Sequence, residues 1–270
     1  MEKLYSILTY EAEKPNHFGA FHLFFILLIT ILTIIICKSF INTSEKQERI
    51  FAFSYFVGHF IMETYKQLVH SYTLVDGVFV FNYNYSSFPF QFCSLPLFLL
   101  PLIAFLPSGK LRESVVALTS SYLLFAGIGV IFYPGTAYTS IVSQCIQTMF
   151  WHGAQITVGL AFAIKRFSAE FPPKLTRFFL SGVPHFLISL GIALFLNEHV
   201  HEMLVANGID TTFSMFMISP YFEINFPVLP YIVENYPYPV AVFCYGAVFT
   251  ALAFLTLFAV AKLSSVCKEN

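Results

Sequence analysis

A cysteine and a histidine are the candidate catalytic residues of this sequence, because each lies in a polar patch within a long apolar stretch. Cys93 belongs to the uncharged stretch 88–107, FPFQFCSLPLFLLPLIAFLP, and His152 belongs to SQCIQTMFWHGAQ, residues 143–155. A thiolate is a strong nucleophile when a base lies beside it, and histidine is the most common such base. We therefore predict that Cys93 and His152 form a nucleophile–base pair.

A second polar patch lies on the segment 50–70. At 3.6 residues per turn, His59, Glu63, Lys66 and Gln67 fall within about a 100° arc of one helical face. Glu63 and Lys66 are three residues apart and can pair. Ionisable groups at membrane depth normally face the interior of a bundle, so we predict that this face lines a binding site. The alternative is a structural ion pair near the outer interface, with Lys66 extended toward water.

The polar side chains around His152 also share one helical face, within about a 140° arc. They are Gln144, Gln147, Thr148, Trp151, His152 and Gln155. We predict that Gln144, Gln147, Trp151 and Gln155 belong to the same binding site, whereas the structural alternative is a hydrogen-bonded core histidine. Gly153, and Gly127 and Gly129 on the preceding apolar segment, are expected to let neighbouring helices approach closely.

The prolines of the stretch 88–107 bear on how Cys93 is presented. Pro89 is expected to begin a helix, and Pro96 and Pro101 are expected to lie inside it, where each frees a backbone carbonyl. In an ideal helix Gln91 and Cys93 point about 200° apart. Gln91 is predicted as a binding residue, which requires that the helix begin late or that Pro96 distort it. A kinked packing helix is the alternative interpretation.

The elements that must position these residues are transmembrane helices. The chain has 270 residues, 57% hydrophobic and 11% charged, with a mean hydropathy of +0.72. A soluble domain has about 25% charged residues, so this composition is typical of a polytopic membrane protein. The net charge of −1 gives no indication of a nucleic-acid partner. The five cysteines have no CxxC or zinc-type spacing, so we expect free thiols, no metal and no cofactor.

Apolar segments and polar loops predict an all-α polytopic bundle of seven transmembrane helices in the cell membrane. The predicted spans are Phe18–Cys37, Ile50–His70, Phe88–Pro107, Ser114–Tyr133, Ile141–Ile164, Phe178–Leu204 and Pro237–Leu263. Residues 1–17 are then an extracytoplasmic leader, residues 18–263 the transmembrane domain and residues 264–270 a cytoplasmic tail. Alternate loops and the C-terminal end carry eleven of the fourteen Lys and Arg residues, and the intervening loops carry none. Because positive loops stay in the cytoplasm, the N-terminus is predicted outside and the C-terminus in the cytoplasm.

Several motifs resemble the bacterial YwaF-like integral membrane family. They are ETYKQL (63–68), FPFQFCSLPLFLLPLIAFLP (88–107), FAGIGVIFYPG (125–135), IQTMFWHG (146–153) and MFMISPYFEINFP (215–227). That family is similar to eukaryotic transmembrane protein 164, an acyltransferase that moves a fatty acyl chain onto lyso ether phospholipids. The resemblance implies a cysteine–histidine acyl-transfer site inside the bundle, and it places Cys93 and His152 in those roles.

Two functions remain open at this point. The first is a lipid acyltransferase in which Cys93 and His152 move fatty acyl chains between phospholipids, with membrane lipids as partners and no soluble cofactor. The second is a transporter or small-molecule-binding protein that uses Glu63, Lys66 and His152 as a polar pathway. A structural membrane component is a weaker third choice, because buried polar faces serve no purpose in it. The oligomeric state is not indicated.

Overall fold

A computed structural model describes residues 2–135, 137–222 and 229–269 of the chain, and 74% of the protein is helical. Within these residues a two-stranded antiparallel hairpin is the one departure from an all-α fold. The elements are α1 (Glu2–Leu8), α2 (Ala20–Phe40), α3 (Glu45–Ser71), β1 (Tyr72–Val75), β2 (Val78–Phe81), α4 (Pro96–Phe105), α5 (Lys110–Leu118), α6 (Leu124–Phe132), α7 (Val142–Phe167), α8 (Leu175–Ala206), α9 (Leu229–Asn235) and α10 (Tyr238–Glu269).

Within the described residues, four helical segments are long and apolar enough to cross a membrane. They are Ala20–Phe40, Lys110–Phe132, Leu175–Ala206 and Tyr238–Ser265. Helices α3 and α7 have 27 and 26 residues, which exceeds the roughly 20 that a span requires, but polar faces lower their hydropathy. A helix overlaps each of the seven predicted segments. The fold is therefore a helical bundle whose apolar helices indicate a membrane-embedded protein.

The third predicted segment differs most from its prediction, because its helix begins late. A 3₁₀ turn covers Phe92–Ser94, and α4 starts only at Pro96, which makes it ten residues long. The prediction that Pro96 lies inside the helix is wrong. It occupies the first helical position, where a missing N–H leaves no carbonyl without a partner. Pro101 is inside α4 as predicted. The late start releases Gln91 and Cys93 from ideal helical spacing.

Helix α7 packs against α2, α3, α6 and α10, so the predicted polar span lies at the centre of the bundle. Glycines allow this packing. A Cβ atom added to Gly153 would lie 2.8 Å from Ile29 of α2, and one on Gly127 of α6 would lie 2.9 Å from the His152 carbonyl oxygen. The same expectation for Gly129 is wrong, because no heavy atom lies within 4 Å of its added Cβ. Between α5 and α6, residues 119–123 form a π-helical turn that packs against α7.

One end of the bundle is closed by the N-terminal segment and the hairpin. The hairpin turn at Asp76 and Gly77 has φ angles of 50° and 76°, which suit the Asp-Gly pair of a type I′ turn. The N-terminal segment pairs with the residues before α7, since Ala12 N–H donates to the Ser140 carbonyl at 2.9 Å. Val142 N–H donates in turn to the Tyr10 carbonyl at 3.1 Å. The predicted leader is thus packed onto the bundle.

The opposite end carries a network that we call the charge cluster: Glu48, Arg112, Glu113, Lys165 and Arg166. Glu48 is only 4% exposed, and both of its carboxylate oxygens accept hydrogen bonds from guanidinium groups. These residues lie outside the predicted spans. Burial alone would raise the pKa of Glu48, but hydrogen bonds from Arg166 and Arg112 outweigh it and lower that pKa. Burial would likewise lower the pKa of Arg166, but its bonds to Glu113 and Glu48 raise it. The cluster ties together the same-side ends of α3, α5 and α7.

Candidate functional site

The turn that carries Cys93 is fastened to α7 through its backbone. The indole Nε1 of Trp151 donates to the Cys93 carbonyl oxygen at 2.8 Å, and the amide Nε2 of Gln155 donates to the same oxygen. Trp151 and Gln155 are four residues apart and therefore lie on one face of the helix. The stretches that were predicted to carry the nucleophile and the base thus meet at this carbonyl.

His59 of α3 packs beside Trp151. Its ring lies 4.6 Å from the Trp151 ring, centroid to centroid, in an edge-on arrangement. Its Nδ1 lies 2.8 Å from the Tyr55 carbonyl oxygen, and a carbonyl only accepts, so the proton is on Nδ1. The Nε2 of the neutral ring is then a free lone pair. This atom is buried and has no hydrogen-bond partner among the described residues.

His152 is presented in the same way. Its Nδ1 donates to the Thr148 carbonyl at 2.8 Å, so its Nε2 also carries a lone pair and is chemically suited to accept a proton. No hydrogen bond joins the Cys93 sulfur to His152 or to His59 within the described part of the chain. The nucleophile–base pair therefore stays a prediction.

The polar face of α3 points into the bundle, as predicted. His59 and Glu63 are buried, whereas Phe60 beside them is 57% exposed. Lys66 Nζ lies 2.8 Å from Glu63 Oε1, which confirms the predicted ion pair. Gln67 Nε2 donates to the same Glu63 oxygen at 2.7 Å and to a backbone carbonyl at 2.6 Å. These contacts join Glu63, Lys66 and Gln67 into one network.

We call the region between the two helices the α3–α7 seam, formed by His59, Glu63 and Gln67 of α3 and Trp151, His152 and Gln155 of α7. It contains buried hydrogen-bond acceptors without a donor among the described residues, namely Glu63 Oε2, Gln67 Oε1, Gln155 Oε1 and His59 Nε2. The contacts of the two amide nitrogens fix which side-chain atom of each glutamine is the oxygen. A narrow crevice reaches His59 and Gln155 but has no room for a water-sized molecule.

The remaining predicted binding residues are engaged elsewhere. Gln144 accepts a hydrogen bond from the Thr139 hydroxyl at 3.1 Å, beside the start of α7. Gln147 is half-buried and makes no side-chain hydrogen bond with a described residue. Gln91 turns away from the seam: its Nε2 donates to the Ser214 carbonyl at 2.8 Å, and its Oε1 accepts from Phe216 N–H at 3.0 Å. Gln91 therefore lies on the side of the Cys93 turn that faces residues 214–216, away from the seam.

Sequence reasoning missed the segment that Gln91 contacts. The sequence suggests a long, acidic, proline-containing loop at 207–236, but residues 213–219 are largely buried in the bundle, and we call them the inserted turn. Asn197 of α8 also binds it, with Met215 N–H donating to its Oδ1 at 2.6 Å and its Nδ2 donating to the Met215 carbonyl at 3.1 Å. The available signal in the sequence was an asparagine directly after the apolar run LISLGIALFL, and the structure shows that Asn197 is fully buried.

Comparison with known proteins adds no relative from which a role could be carried over. The site must therefore be interpreted from its own geometry: a fastened cysteine turn, two imidazole lone pairs and a set of unpaired acceptors. No protein-family model, no curated protein and no solved structure matches this chain.

Proposed function

We propose that the chain is a multi-pass protein of the cell membrane with seven spans, its N-terminus outside and its C-terminus in the cytoplasm. Two observations support this topology: the helices that overlap all seven predicted segments, and the charge cluster, which gathers basic residues of two loops around Glu48 of a third loop at one end. A cysteine introduced as Ser168→Cys should then react with a membrane-impermeant maleimide only from the cytoplasm, and Asn207→Cys only from outside. Reaction of both from one side would contradict the topology.

We further propose that the α3–α7 seam transfers fatty acyl chains between phospholipids, as the resemblance to the YwaF-like family implies. The single observation that carries this proposal is the fastening of the Cys93 turn to α7. The bonds from Trp151 and Gln155 hold a thiol in an apolar bundle, between helices that each present an imidazole lone pair. A site within the bilayer gives acyl chains direct access without a soluble carrier.

The first half-reaction transfers an acyl chain to the enzyme. His152 Nε2 takes the proton of the Cys93 thiol, and the thiolate attacks the ester carbonyl of a phospholipid. The tetrahedral intermediate collapses with cleavage of the ester C–O bond. The leaving lysophospholipid oxygen takes the proton back from His152, and the acyl chain stays on Cys93 as a thioester. Lys66, which pairs with Glu63 at 2.8 Å on the inward face of α3, would supply positive charge for the oxyanion.

The second half-reaction is the reverse with another acceptor. His152 takes the proton from the hydroxyl of a second lysophospholipid, whose oxygen attacks the thioester carbonyl. The C–S bond breaks, a new ester forms, and the proton returns to the Cys93 sulfur. No net proton, electron or cofactor is consumed. Two ester-type bonds of similar energy are exchanged, so membrane composition sets the direction of transfer.

The experiment that tests this proposal traps the acyl-enzyme. The purified protein is incubated with a phospholipid that carries an isotope-labelled acyl chain, and peptides are analysed by mass spectrometry. We expect the acyl mass on the peptide that contains Cys93, and its release by hydroxylamine, which cleaves thioesters. Cys93→Ala should abolish both the adduct and the transfer to added lysophospholipid, and His152→Ala should lower the rate of adduct formation at least about 100-fold.

Cys244→Ala is the matched control, because Cys244 is another free, partly exposed cysteine that lies on α10. It should retain both the adduct and the transfer. Unchanged transfer by Cys93→Ala, or an acyl adduct on a different residue, would remove the acyltransferase mechanism.

A specific observation also supports the second candidate, a binding or transport function. The unpaired acceptors Glu63 Oε2, Gln67 Oε1 and Gln155 Oε1 suit a ligand rich in hydrogen-bond donors. An ester offers acceptors only and does not satisfy them. If Cys93→Ala leaves function intact but Glu63→Gln removes it, the binding or transport function becomes the better explanation.

A further inference from the structure

The inserted turn, residues 213–219, is an irregular segment with the burial of a protein core. Phe213, Met215, Phe216 and Ile218 are at most 1% exposed, although they belong to no long helix or strand. Irregular backbone at membrane depth is tolerated only where other protein groups satisfy its hydrogen bonds. The question is therefore which groups satisfy this backbone, because those groups hold the segment in place.

Two side-chain amides from different elements supply the partners. Gln91, two residues before Cys93, donates to the Ser214 carbonyl and accepts from Phe216 N–H. Asn197 of α8 donates to the Met215 carbonyl and accepts from Met215 N–H. Each amide thus provides one donor and one acceptor, as a neighbouring strand would. The inserted turn is therefore held by side-chain hydrogen bonds, and the bonds to Gln91 and those to Asn197 can break separately.

The turn is also strained. Phe216 and Met217 have φ angles of 57° and 54°, in the left-handed region that residues other than glycine rarely adopt. Two such residues in succession persist only when the surroundings enforce them, and they are found at ligand clamps and switch regions. Release of the amide bonds would let both residues relax. The inserted turn is therefore a segment that favours movement once its partners are removed.

This strained segment forms the wall behind the Cys93 turn. The Phe216 ring packs edge-on against Phe92 at 5.3 Å and stacks on Phe90 at 5.9 Å, centroid to centroid. On the other side of the Cys93 turn, the crevice at His59 and Gln155 admits not even a water-sized molecule. Cys93 is partly exposed, so a small reagent can reach it, but a substrate of the size of a phospholipid needs more room. The inserted turn is the wall of this site that lacks a long helical hydrogen-bond ladder.

We propose that the inserted turn is the movable wall of the Cys93 site, and that Gln91 and Asn197 are the positioning residues that hold it closed. The proposal rests on the proposed function only in taking Cys93 as the reacting group. It predicts that Asn197, which binds the turn from α8, controls the accessibility of Cys93 through that turn.

The test measures alkylation of individual cysteines by N-ethylmaleimide in the full-length protein, reconstituted in phosphatidylcholine nanodiscs and analysed by peptide mass spectrometry. Asn197→Leu should raise the rate at Cys93 about tenfold, as expected when two hydrogen bonds of ordinary strength are lost. Cys145, which is fully buried beside α2, reports general unfolding and should not change. Asn207→Leu is the control, because Asn207 directly follows α8 and its side-chain amide donates to the Met203 carbonyl of that helix, so the change should have no effect on Cys93.

A pair of variants tests whether the two amides act through one wall. Gln91→Leu should also raise the rate at Cys93. In the double variant with Asn197→Leu the two effects should combine, because both amides stabilise the same closed turn and their free energies add in the equilibrium between the closed and the open turn. A rate at Cys93 that Gln91→Leu leaves unchanged would contradict the proposal.

Met217→Gly gives a change in the opposite direction that unfolding cannot mimic. Glycine adopts the φ of 54° without strain, and Met217 is 38% exposed, so its side chain loses little packing. The closed turn becomes more stable, and the rate at Cys93 should fall about threefold. A rise at both Cys93 and Cys145 in Asn197→Leu, or no fall in Met217→Gly, would overturn the movable wall. If this pattern holds while Cys93→Ala still transfers acyl chains, only the proposed function fails.

Discussion

The charge cluster and the α3–α7 seam are both built from polar groups on α3 and α7, yet they treat a buried carboxylate in opposite ways. In the cluster, Glu48 Oε1 accepts from Arg166 at 3.0 Å, and Oε2 accepts from Arg166 at 2.9 Å and from Arg112 at 3.0 Å. In the seam, Glu63 Oε1 is paired with Lys66, but Oε2 has no partner among the described residues.

We interpret this difference between Glu48 and Glu63 as one between a structural network and a proposed functional site. A fully satisfied polar network rigidifies a protein and fixes how its elements meet, which is what the cluster does for three loops. An unsatisfied buried acceptor destabilises the protein by about 1–3 kcal/mol and gives no packing in return. The proposed binding or catalytic role of the seam would explain such acceptors at several of its positions. Mutation should therefore affect mainly stability in the cluster and mainly activity in the seam.

The largest effect is expected from Glu48→Leu. Removal of the carboxylate leaves Arg112, Arg166 and Lys165 buried without their common partner, which should destabilise the fold by about 3–5 kcal/mol. The yield of folded protein and its thermal midpoint in detergent measure this. Glu45→Leu is the control, because Glu45 is exposed at the same helix end and should have little effect. Equal thermal midpoints for the two variants would show that the charge cluster does not stabilise the fold.

Glu63→Leu should destabilise the fold less than Glu48→Leu does, but it should strongly reduce activity. It leaves Lys66 unpaired, but Lys66 is partly exposed and can extend toward water, so we expect a loss of about 1–2 kcal/mol. Acyl transfer or ligand binding should be lost. Phe60→Leu, on the lipid-facing side of α3, should change neither property. Equal tolerance of both substitutions would mean that the inward polar face has no function.

Acid should act on the cluster through Glu48. Its pKa is lowered in the folded protein, so its contribution to stability is fully present above the unfolded value of about 4.5. That contribution is lost as the pH falls through the lower folded pKa. Thermal midpoints measured between pH 6 and pH 3 should therefore fall more steeply for the wild type than for Glu48→Gln. Parallel curves would show that Glu48 does not govern acid stability.

The smallest expected change in stability is an increase, and it should come from His59→Phe. His59→Phe keeps an aromatic ring against Trp151 and removes the unpaired Nε2, so stability should rise by about 1 kcal/mol while activity falls. His22 is the matched control, because its Nδ1 accepts from Phe18 N–H at 2.9 Å and its Nε2 lies 2.7 Å from the Ile131 carbonyl. His22→Phe should destabilise the protein. A loss of stability in both variants would contradict the assignment of the seam to function.

The helices and their inward faces could be predicted from the sequence because they follow from local patterns. The run of apolar residues up to Cys37 predicts a span at 18–37, and α2 covers 20–40. The 3.6-residue spacing of His59 and Glu63 predicts a common face, and both are buried. The hairpin had a signal too: Asp76-Gly77 between β-branched residues is typical of a tight turn.

Features that depend on distant partners could not be predicted. The late start of α4 depends on whether Pro96 is read as interior or as first residue, and the sequence allows both. The role of Gln91 depends on backbone groups more than 120 positions away in the inserted turn. Glu48 gave no signal of its own, because its guanidinium partners come from two other loops. Counting charges predicts a topology, but it does not identify which of them pair.

The pairing of the N-terminal segment has a consequence for the order of assembly during synthesis. Glu11 forms a bridge with Ile141, which lies 130 positions further along the chain. At about 5–20 residues per second, the ribosome makes Ile141 on the order of ten seconds after Glu11. For that interval the segment has no partner, and five of the predicted spans must be inserted or under way before it can dock. Closure of this end therefore cannot begin until about half of the 270-residue chain has been made.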